Sequence, residues 1–385
     1  MSSIFLEQVW KFYGDVEAVR DLTLRCDDGE MLALLGPSGC GKSTTLKMIA
    51  GVETTSRGEI FFDDRPVSSL APGQRNIAMV FEDYALYPHL SVYENIAFPL
   101  RVRGASASEI KTRAGNAVDL LGLSDLAGEN VRALSGGAQQ RVSIGRALVR
   151  DPELILFDEP LSHLDADQKV YLRTEIKRLQ QSSGLTSILV THDQTEAVAM
   201  SDRVAVMKDG VLQQVGTPAE LYASPANLFV ANFIGEPPMN LLEAEISSEK
   251  DELSLQGPGW HLKLTSEQSR RLKTTNLRGG ITAGMRPEHI SISAKASRNA
   301  KTAKTKNRIT GNIYFREPRG DADVLTVCLD TGRNKNSDAE LLQITAEIDG
   351  PSQHVVGETI WLQLNAKTLC LFDSESGENL LLGKA

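Results

Sequence analysis

Residues 36–43 read Gly-Pro-Ser-Gly-Cys-Gly-Lys-Ser and fit G-x-x-x-x-G-K-[ST], a run whose residue types suit phosphate chemistry. Gly36, Gly39 and Gly41 let the backbone fold back so that its N–H groups converge on an anion. Lys42 is expected to reach the β- and γ-phosphates as a point charge, and the Ser43 hydroxyl to ligate Mg²⁺. Pro37, Ser38 and Cys40 complete the loop, with Cys40 read as a small spacer rather than a nucleophile, and Thr44 opens a helix whose N-terminus adds partial positive charge. A second constellation is Asp158-Glu159, at the end of the apolar run 154–157. Two adjacent carboxylates are costly to bury without a cation nearby. Beside a phosphate loop, Asp158 is expected to face Mg²⁺ and Glu159 the attacking water. His192 follows the apolar run 187–190, at the strand end where ligands gather in open α/β sheets.

These residues need strands and helices to hold them. The run 31–35 reads as a buried strand feeding the loop, and Leu46 and Ile49 share one face of a helix over 44–50. Strands are expected over 4–10 and 16–25, flanking a turn at Gly14-Asp15. Phe12 and Tyr13 stand at that turn. An aromatic there can stack on a base, for about 1–3 kcal/mol, or simply pack at a sheet edge. Further strands are expected over 58–62 and 77–81. The second runs into the aromatic segment 82–90, which suits a protein contact or local packing. Ser91 and Glu94 form a capping box, and 106–121 reads as a helix closed by Gly122. Leu134-Ser135-Gly136-Gly137-Ala138 precedes a helical run over 139–150 and offers a second, weaker anion site.

The chain has 385 residues, which implies two or three domains, and a formal charge of -9, which argues against a generic nucleic-acid binder. No run of about 18 apolar residues is present to span a membrane, and residues 1–10 do not resemble a signal peptide. Cys26, Cys40, Cys328 and Cys370 lack disulfide or metal spacing, as in a reducing cytosol. Two helical stretches are expected over 219–233, and Pro237-Pro238 marks a boundary. Beyond it, short alternating runs at 241–246, 253–255, 262–264, 281–284, 324–329, 344–348, 359–364 and 369–372 read as a small antiparallel barrel. Lys295, Arg298, Lys301, Lys304, Lys306 and Arg308 form a basic stretch without aromatics, read as a solvated loop in preference to a nucleic-acid or lipid site. Residues 331–338 read as a second loop.

The motifs at 36–43, 134–137, 155–160, 161–165 and 191–193 stand in the order and spacing of ABC-type ATPases. Phe81, Pro88-His89-Leu90-Ser91-Val92, Gly216-Thr217-Pro218, Tyr222, Pro225, 235–240 and 286–290 resemble the ATPase subunits of carbohydrate importers of the maltose and glycerol-phosphate type. The resemblance spans nearly the whole chain. It implies a P-loop nucleotide-binding domain over 1–235, with a helical subdomain about 88–150, and an OB-like regulatory (TOBE-type) domain over 236–385. It implies ATP and Mg²⁺ as cofactors and Tyr13 as the adenine-stacking aromatic. His192 would meet the γ-phosphate, and Asp165 would carry messages across a dimer. The signature Ser135, Gly136, Gly137 and Ala138 would act in trans, Ser135 and Gly137 binding the γ-phosphate of a second ATPase subunit. That subunit is an identical copy by default, or a different ATPase. Two transmembrane permease subunits would dock at a groove around residues 84–88, with an extracytoplasmic solute-binding protein as indirect partner and no nucleic acid. Such a chain would lie on the cytoplasmic face of a bacterial plasma membrane.

Two positions depart from that pattern. Position 82 is usually Gln and here is Glu82, which can still act as a water or Mg²⁺ contact but also faces the γ-phosphate. A unit charge at about 4 Å is worth about 4 kcal/mol at an effective dielectric of about 20, with opposite sign for those two neighbours. Position 138 is usually Gln or Glu and here is Ala138, a loss of about 0.5–1.5 kcal/mol per hydrogen bond removed. The reading is therefore an importer ATPase for a sugar or glycerol-phosphate-like solute. The alternatives are a polyamine or inorganic-anion importer, a soluble ABC ATPase, and a nucleotide-dependent regulatory subunit.

Overall fold

The computed structural model describes residues 2–249, 252–274, 280–294, 307–329 and 342–382. The basic stretch at 295–306 and the loop at 331–338 lie outside the described residues. The chain divides into two compact units, Met1–Pro218 and Ala219–Ala385.

The first unit holds two sheets. Strands β1 (Ile4–Tyr13), β2 (Val16–Cys26), β4 (Arg57–Phe62) and β5 (Arg65–Pro66) form an antiparallel sheet in the order β2-β1-β4-β5. Strands β3 (Met31–Leu35), β6 (Ile77–Val80), β7 (Leu154–Asp158), β8 (Thr186–Thr191), β9 (Arg203–Lys208) and β10 (Val211–Gly216) form the second, in the order β10-β9-β3-β8-β7-β6. All pairings from β9 to β6 are parallel, and only β10 is antiparallel to its neighbour. Every residue of β3 and β8 is buried, which is why both read as unbroken apolar or small runs without alternation. Helix α1 (Lys42–Ala50) joins the sheets: its Leu46, Met48 and Ile49 pack in one core with Leu32 and Leu34 of β3 and Ile60 of β4. Each such side chain contributes about 1.5–3 kcal/mol by leaving water.

Between β6 and β7 lie three helices: α2 (Val92–Val102), α3 (Ala107–Leu120) and α4 (Gly136–Leu148). The expected capping box forms at α2: the Ser91 hydroxyl accepts from Glu94 N–H and Glu94 Oε2 accepts from Ser91 N–H. Ser106 caps α3 through Glu109 N–H. Helices α5 (Ala166–Ser183) and α6 (Gln194–Met200) flank β8 in sequence.

Helix α7 (Pro218–Ala223) begins at the last residue of the first unit, and the second unit continues with α8 (Leu228–Phe233) and two five-stranded antiparallel sheets. The first comprises β11 (Asn240–Glu249), β12 (Glu252–Gly257), β13 (Trp260–Lys263), β14 (Ile281–Met285) and β20 (Cys370–Asp373); α9 (Ser266–Thr274) follows β13. The second comprises β15 (Ile290–Ala294), β16 (Arg308–Pro318), β17 (Ala322–Leu329), β18 (Gln343–Asp349) and β19 (Thr359–Leu364). One apolar core joins the inner faces of both. Asn240 stitches them with its side chain, donating to Met285 O at 3.2 Å and Thr345 O at 2.8 Å and accepting from Thr345 N–H at 2.7 Å. Arg286 is buried, with Tyr222 O, Ala231 O and Ile234 O as acceptors and its guanidinium 4.0 Å from the Tyr222 ring centroid. Two residues from the segments 235–240 and 286–290 therefore hold the fold of this unit.

Candidate nucleotide site

Strands β3, β8, β7 and β6 are consecutive neighbours and run parallel, so their C-terminal ends open on one edge. At that edge β3 delivers the loop 36–43, β8 delivers His192, β7 delivers Asp158-Glu159 and β6 leads into Glu82. Strand order thus gathers residues that are 156 positions apart in sequence at the extremes, Gly36 and His192.

The loop is a backbone cradle. A Cβ at Gly36 would lie 2.2 Å from Met207 O, and one at Gly41, which has φ 101°, would lie 2.5 Å from Ala18 O. Only glycine fits either place. Pro37, Ser38 and Gly39 are exposed on the rim, Cys40 and Gly41 are buried, and Ser43 and Thr44 are half-buried. Lys42 is 5% exposed; its Nζ donates to Gly36 O and Pro37 O, each at 2.8 Å, and lies 3.7 Å from Cys40 Sγ. Burial pushes the Cys40 thiol above its ordinary value despite Lys42, so it is a poor nucleophile.

Behind α1 stands a cation that sequence reasoning missed. Arg75 is 1% exposed and donates to Met48 O at 2.7 Å and Ile49 O at 2.8 Å, in the last turn of the helix, as well as to Leu70 O and Ser68 O. Nothing in the polar run Gln74-Arg75-Asn76 signals a buried residue.

The Asp158 carboxyl sits above its ordinary range: burial is the main cause, Glu159 and Glu82 add to it, and Lys47 and a hydrogen bond from Ser43 oppose it. Glu159 has φ 45°, uncommon for a residue with a side chain. Its N–H donates to Val190 O at 2.9 Å, its carbonyl accepts from Ser162 Oγ at 2.6 Å, and its Oε2 lies 2.8 Å from His192 Nδ1. Glu82 Oε1 lies 3.4 Å from the Nε2 of His163, a residue of the segment 161–165 whose sequence context gives no sign of this contact.

The signature is built at a helix start. Ser135 caps α4 through Ala138 N–H at 3.4 Å, and Ala138 is buried. The Ser135 hydroxyl accepts from Ala138 N–H, its carbonyl from Gln139 N–H, and the Gly137 N–H donates to Gln168; none of these bonds goes to the loop 36–43. Asp165 caps α5 through Gln168 N–H at 2.9 Å. Tyr13 is 44% exposed at the end of β1, with Lys11 Nζ 4.9 Å from its ring centroid.

A groove of about 530 Å³ adjoins β6, lined among others by Phe81, Ala85, Tyr87, Phe98, Val102 and Arg146. Tyr84 and Ala85 both hold positive φ, 61° and 46°. Their carbonyls are tied down by Arg146, and Tyr84 O also accepts from Ser143 Oγ at 3.0 Å.

The donor set suits a hard cation that keeps waters and substrate oxygens in its shell: a hydroxyl at Ser43 and carboxylates at Asp158 and Glu82. Among the described residues no group of three or more His, Cys, Asp or Glu forms a closed metal cage. No helix among them is long and apolar enough to cross a membrane.

Comparison with known proteins accords with this geometry. Residues 19–162 match the ABC transporter family model and residues 235–290 the MalK OB fold domain. The xylose/arabinose import ATP-binding protein XacK of Haloferax volcanii is 42% identical over 99% of this chain and 96% of its own length. The trehalose/maltose import ATP-binding protein MalK of Thermococcus litoralis is 50% identical over 75% of this chain and 79% of its own. The sn-glycerol-3-phosphate import ATP-binding protein UgpC of Escherichia coli is 40% identical over 99% and 100%. Among solved structures, the dimeric bacterial ABC transporter cassette MJ0796 superposes with a TM-score of 0.51 at 32% identity, over 56% of this chain and 98% of its own.

Proposed function

The chain belongs to the ATP-binding subunits of ABC transporters, ATPases coupled to transport, and from that premise we propose that it powers import of a sugar, an oligosaccharide or a glycerol-phosphate-like solute. The observation that carries this reading is the convergence of the loop 36–43, Glu82, Asp158, Glu159 and His192 at the ends of four neighbouring parallel strands. The sugar class rests on the relatives' printed names.

In this reading ATP lies with its phosphates on the N–H groups of the loop and the start of α1, and its adenine on Tyr13. Lys42 exchanges the carbonyls of Gly36 and Pro37 for β/γ-phosphate oxygens. Ser43, Asp158 and Glu82 would hold Mg²⁺, which supplies charge neutralisation on the triphosphate. Glu159 orients and polarises a water for in-line attack on the γ-phosphorus. His192, aligned through Nδ1, meets a γ-phosphate oxygen with its other ring nitrogen.

A second copy of the chain completes each site head to tail; the reading is supported by the hydrogen bonds at Ser135 and Gly137, which go to Ala138 and Gln168 and not to the chain's own phosphate loop. Residues 1–235 form the nucleotide-binding part and 236–385 the regulatory part. The groove at Phe81–Tyr87 receives a transmembrane subunit, and the protein sits peripherally on the cytoplasmic face of the membrane. Reconstitution with its membrane subunits and binding protein tests the proposal. Stimulation of ATPase by a sugar or sugar phosphate is expected; stimulation by polyamines or inorganic anions alone would reassign the solute class, and no stimulation by any solute would point to a regulatory subunit.

A further inference from the structure

Position 138 stands in the first turn of α4, and Ala138 brings no amide to it. Another side chain brings one. Gln168, in the first turn of α5, accepts the Gly137 N–H at its Oε1 at 3.1 Å. Its Nε2 donates to Asp165 Oδ2 at 2.7 Å, while Asp165 Oδ1 accepts the Gln168 N–H at 2.9 Å. Both ends of one amide are thereby used, and Asp165 is held at both oxygens by one residue. A Cβ on Gly137 would lie 3.0 Å from Gln168 Oε1, tight enough that the amide would have to give by a few tenths of an ångström. At a helix start a Gln three residues after the cap ordinarily turns back to the cap's own backbone N–H. This one turns across to a different helix and satisfies one of the first N–H groups of α4, which have no partner inside that helix. The Ser135 cap alone is long, at 3.4 Å.

We infer that Gln168 is a positioning residue that supplies, from α5, the amide missing at position 138, locking the signature turn at Gly137 to the Asp165 segment. The inference rests on the ATPase reading above. Its consequence is that the two segments one subunit lends to its partner approach the partner's nucleotide as a single rigid unit.

Gln168→Met preserves side-chain length and removes both bonds. In the full-length chain assembled with its membrane subunits, kcat is expected to fall about five- to tenfold, the loss corresponding to one or two hydrogen bonds. The ATP affinity of the isolated subunit should stay at the parental value, because Gln168 serves the partner's site. ATP-driven dimerisation in a Glu159→Gln background should weaken by a similar factor. A parental kcat in Gln168→Met, or a loss of ATP affinity equal to the loss of kcat, would overturn the inference. If Gln168→Met does not fold, Gln168→Glu serves: it sets a second carboxylate against Asp165, and the same split between kcat and ATP affinity is expected, with a parental kcat again decisive against the idea. A parent chain without ATPase activity would sink the ATPase reading instead, so the two failures are distinguishable.

Discussion

Glu159 Oε2 and His192 Nδ1 lie 2.8 Å apart across the ends of two neighbouring parallel strands. Glu159 holds this place with φ 45°, a backbone state that costs about 1–3 kcal/mol for a residue with a side chain. The N–H bond to Val190 O and the Ser162 hydroxyl on its carbonyl hold it there.

Replacing that carboxylate by an amide keeps the shape and removes the base. Glu159→Gln is expected to lower kcat by about 10²–10⁴ while ATP still binds. Single-turnover hydrolysis beside equilibrium nucleotide binding measures both, and a parental rate would remove Glu159 from the water-activating role.

Lys42 is nearly buried and already bonded to two carbonyls of its own loop. Hydrogen bonds to a charged group contribute about 1.5–3 kcal/mol, so Lys42→Ala should weaken ATP binding about 10- to 100-fold and abolish hydrolysis. Fluorescent-nucleotide titration checks the affinity, and an unchanged melting temperature shows that the fold survives. Retained turnover would show that the ammonium is dispensable.

Glu82 and His163 face each other at 3.4 Å with both side chains about half exposed. Exposed pairs of this kind are worth about 0.2–1 kcal/mol. His163→Ala should therefore change ATPase up to about fivefold in the parent and have no further effect in a Glu82→Gln background. Equal effects in both backgrounds would show that the two side chains act independently.

Asp193 caps α6 with one oxygen accepting from Thr195 and Glu196 N–H, and Lys169 lies 3.5 Å from the other. Burial alone would raise its carboxyl, but these N–H groups and the Lys169 ammonium outweigh burial and hold it below the ordinary carboxylate range. A group depressed in the folded state stabilises above its unfolded pKa, about 3.9. Asp193→Ala should thus cost about 1 kcal/mol at pH 7. The cost should stay constant down to about pH 5 and shrink as the pH falls through the folded carboxyl's titration. Denaturant midpoints of parent and variant across that range test it, and a gap that widens toward low pH would contradict the cap.

The phosphate loop was readable because its pattern is local and each glycine answers a nearby collision, as Gly36 does with Met207 O. The capping box at Ser91 was readable for the same reason. The strand order that places β8 between β3 and β7 was not, since no local pattern carries a crossover. Strand β16 escaped notice because a register shift between Ile313 and Phe315 breaks its alternation and leaves Tyr314 and Phe315 exposed. Helix α9 escaped because its run Ser-Glu-Gln-Ser-Arg-Arg-Leu-Lys-Thr has a single large apolar residue, Leu272, to mark the buried face. Gln168 carried a faint signal, an Asp cap followed three residues later by Gln, but that pattern points to a bond within one helix and the structure spends the amide on another.

Arg75 gives the phosphate helix a permanent counterion. Its guanidinium occupies the carbonyl end of α1, nine residues and about 13 Å from the end that meets phosphate. A helix carries partial charges of opposite sign at its two ends, and here one of them is neutralised before any ligand arrives. The helix therefore behaves as half of a salt: cation supplied by the fold, anion supplied by the substrate. Loss of the Arg75 side chain would strand the carbonyls of Ser68, Leu70, Met48 and Ile49 at once, so the cost of a change at position 75 falls on the thermal endurance of the fold.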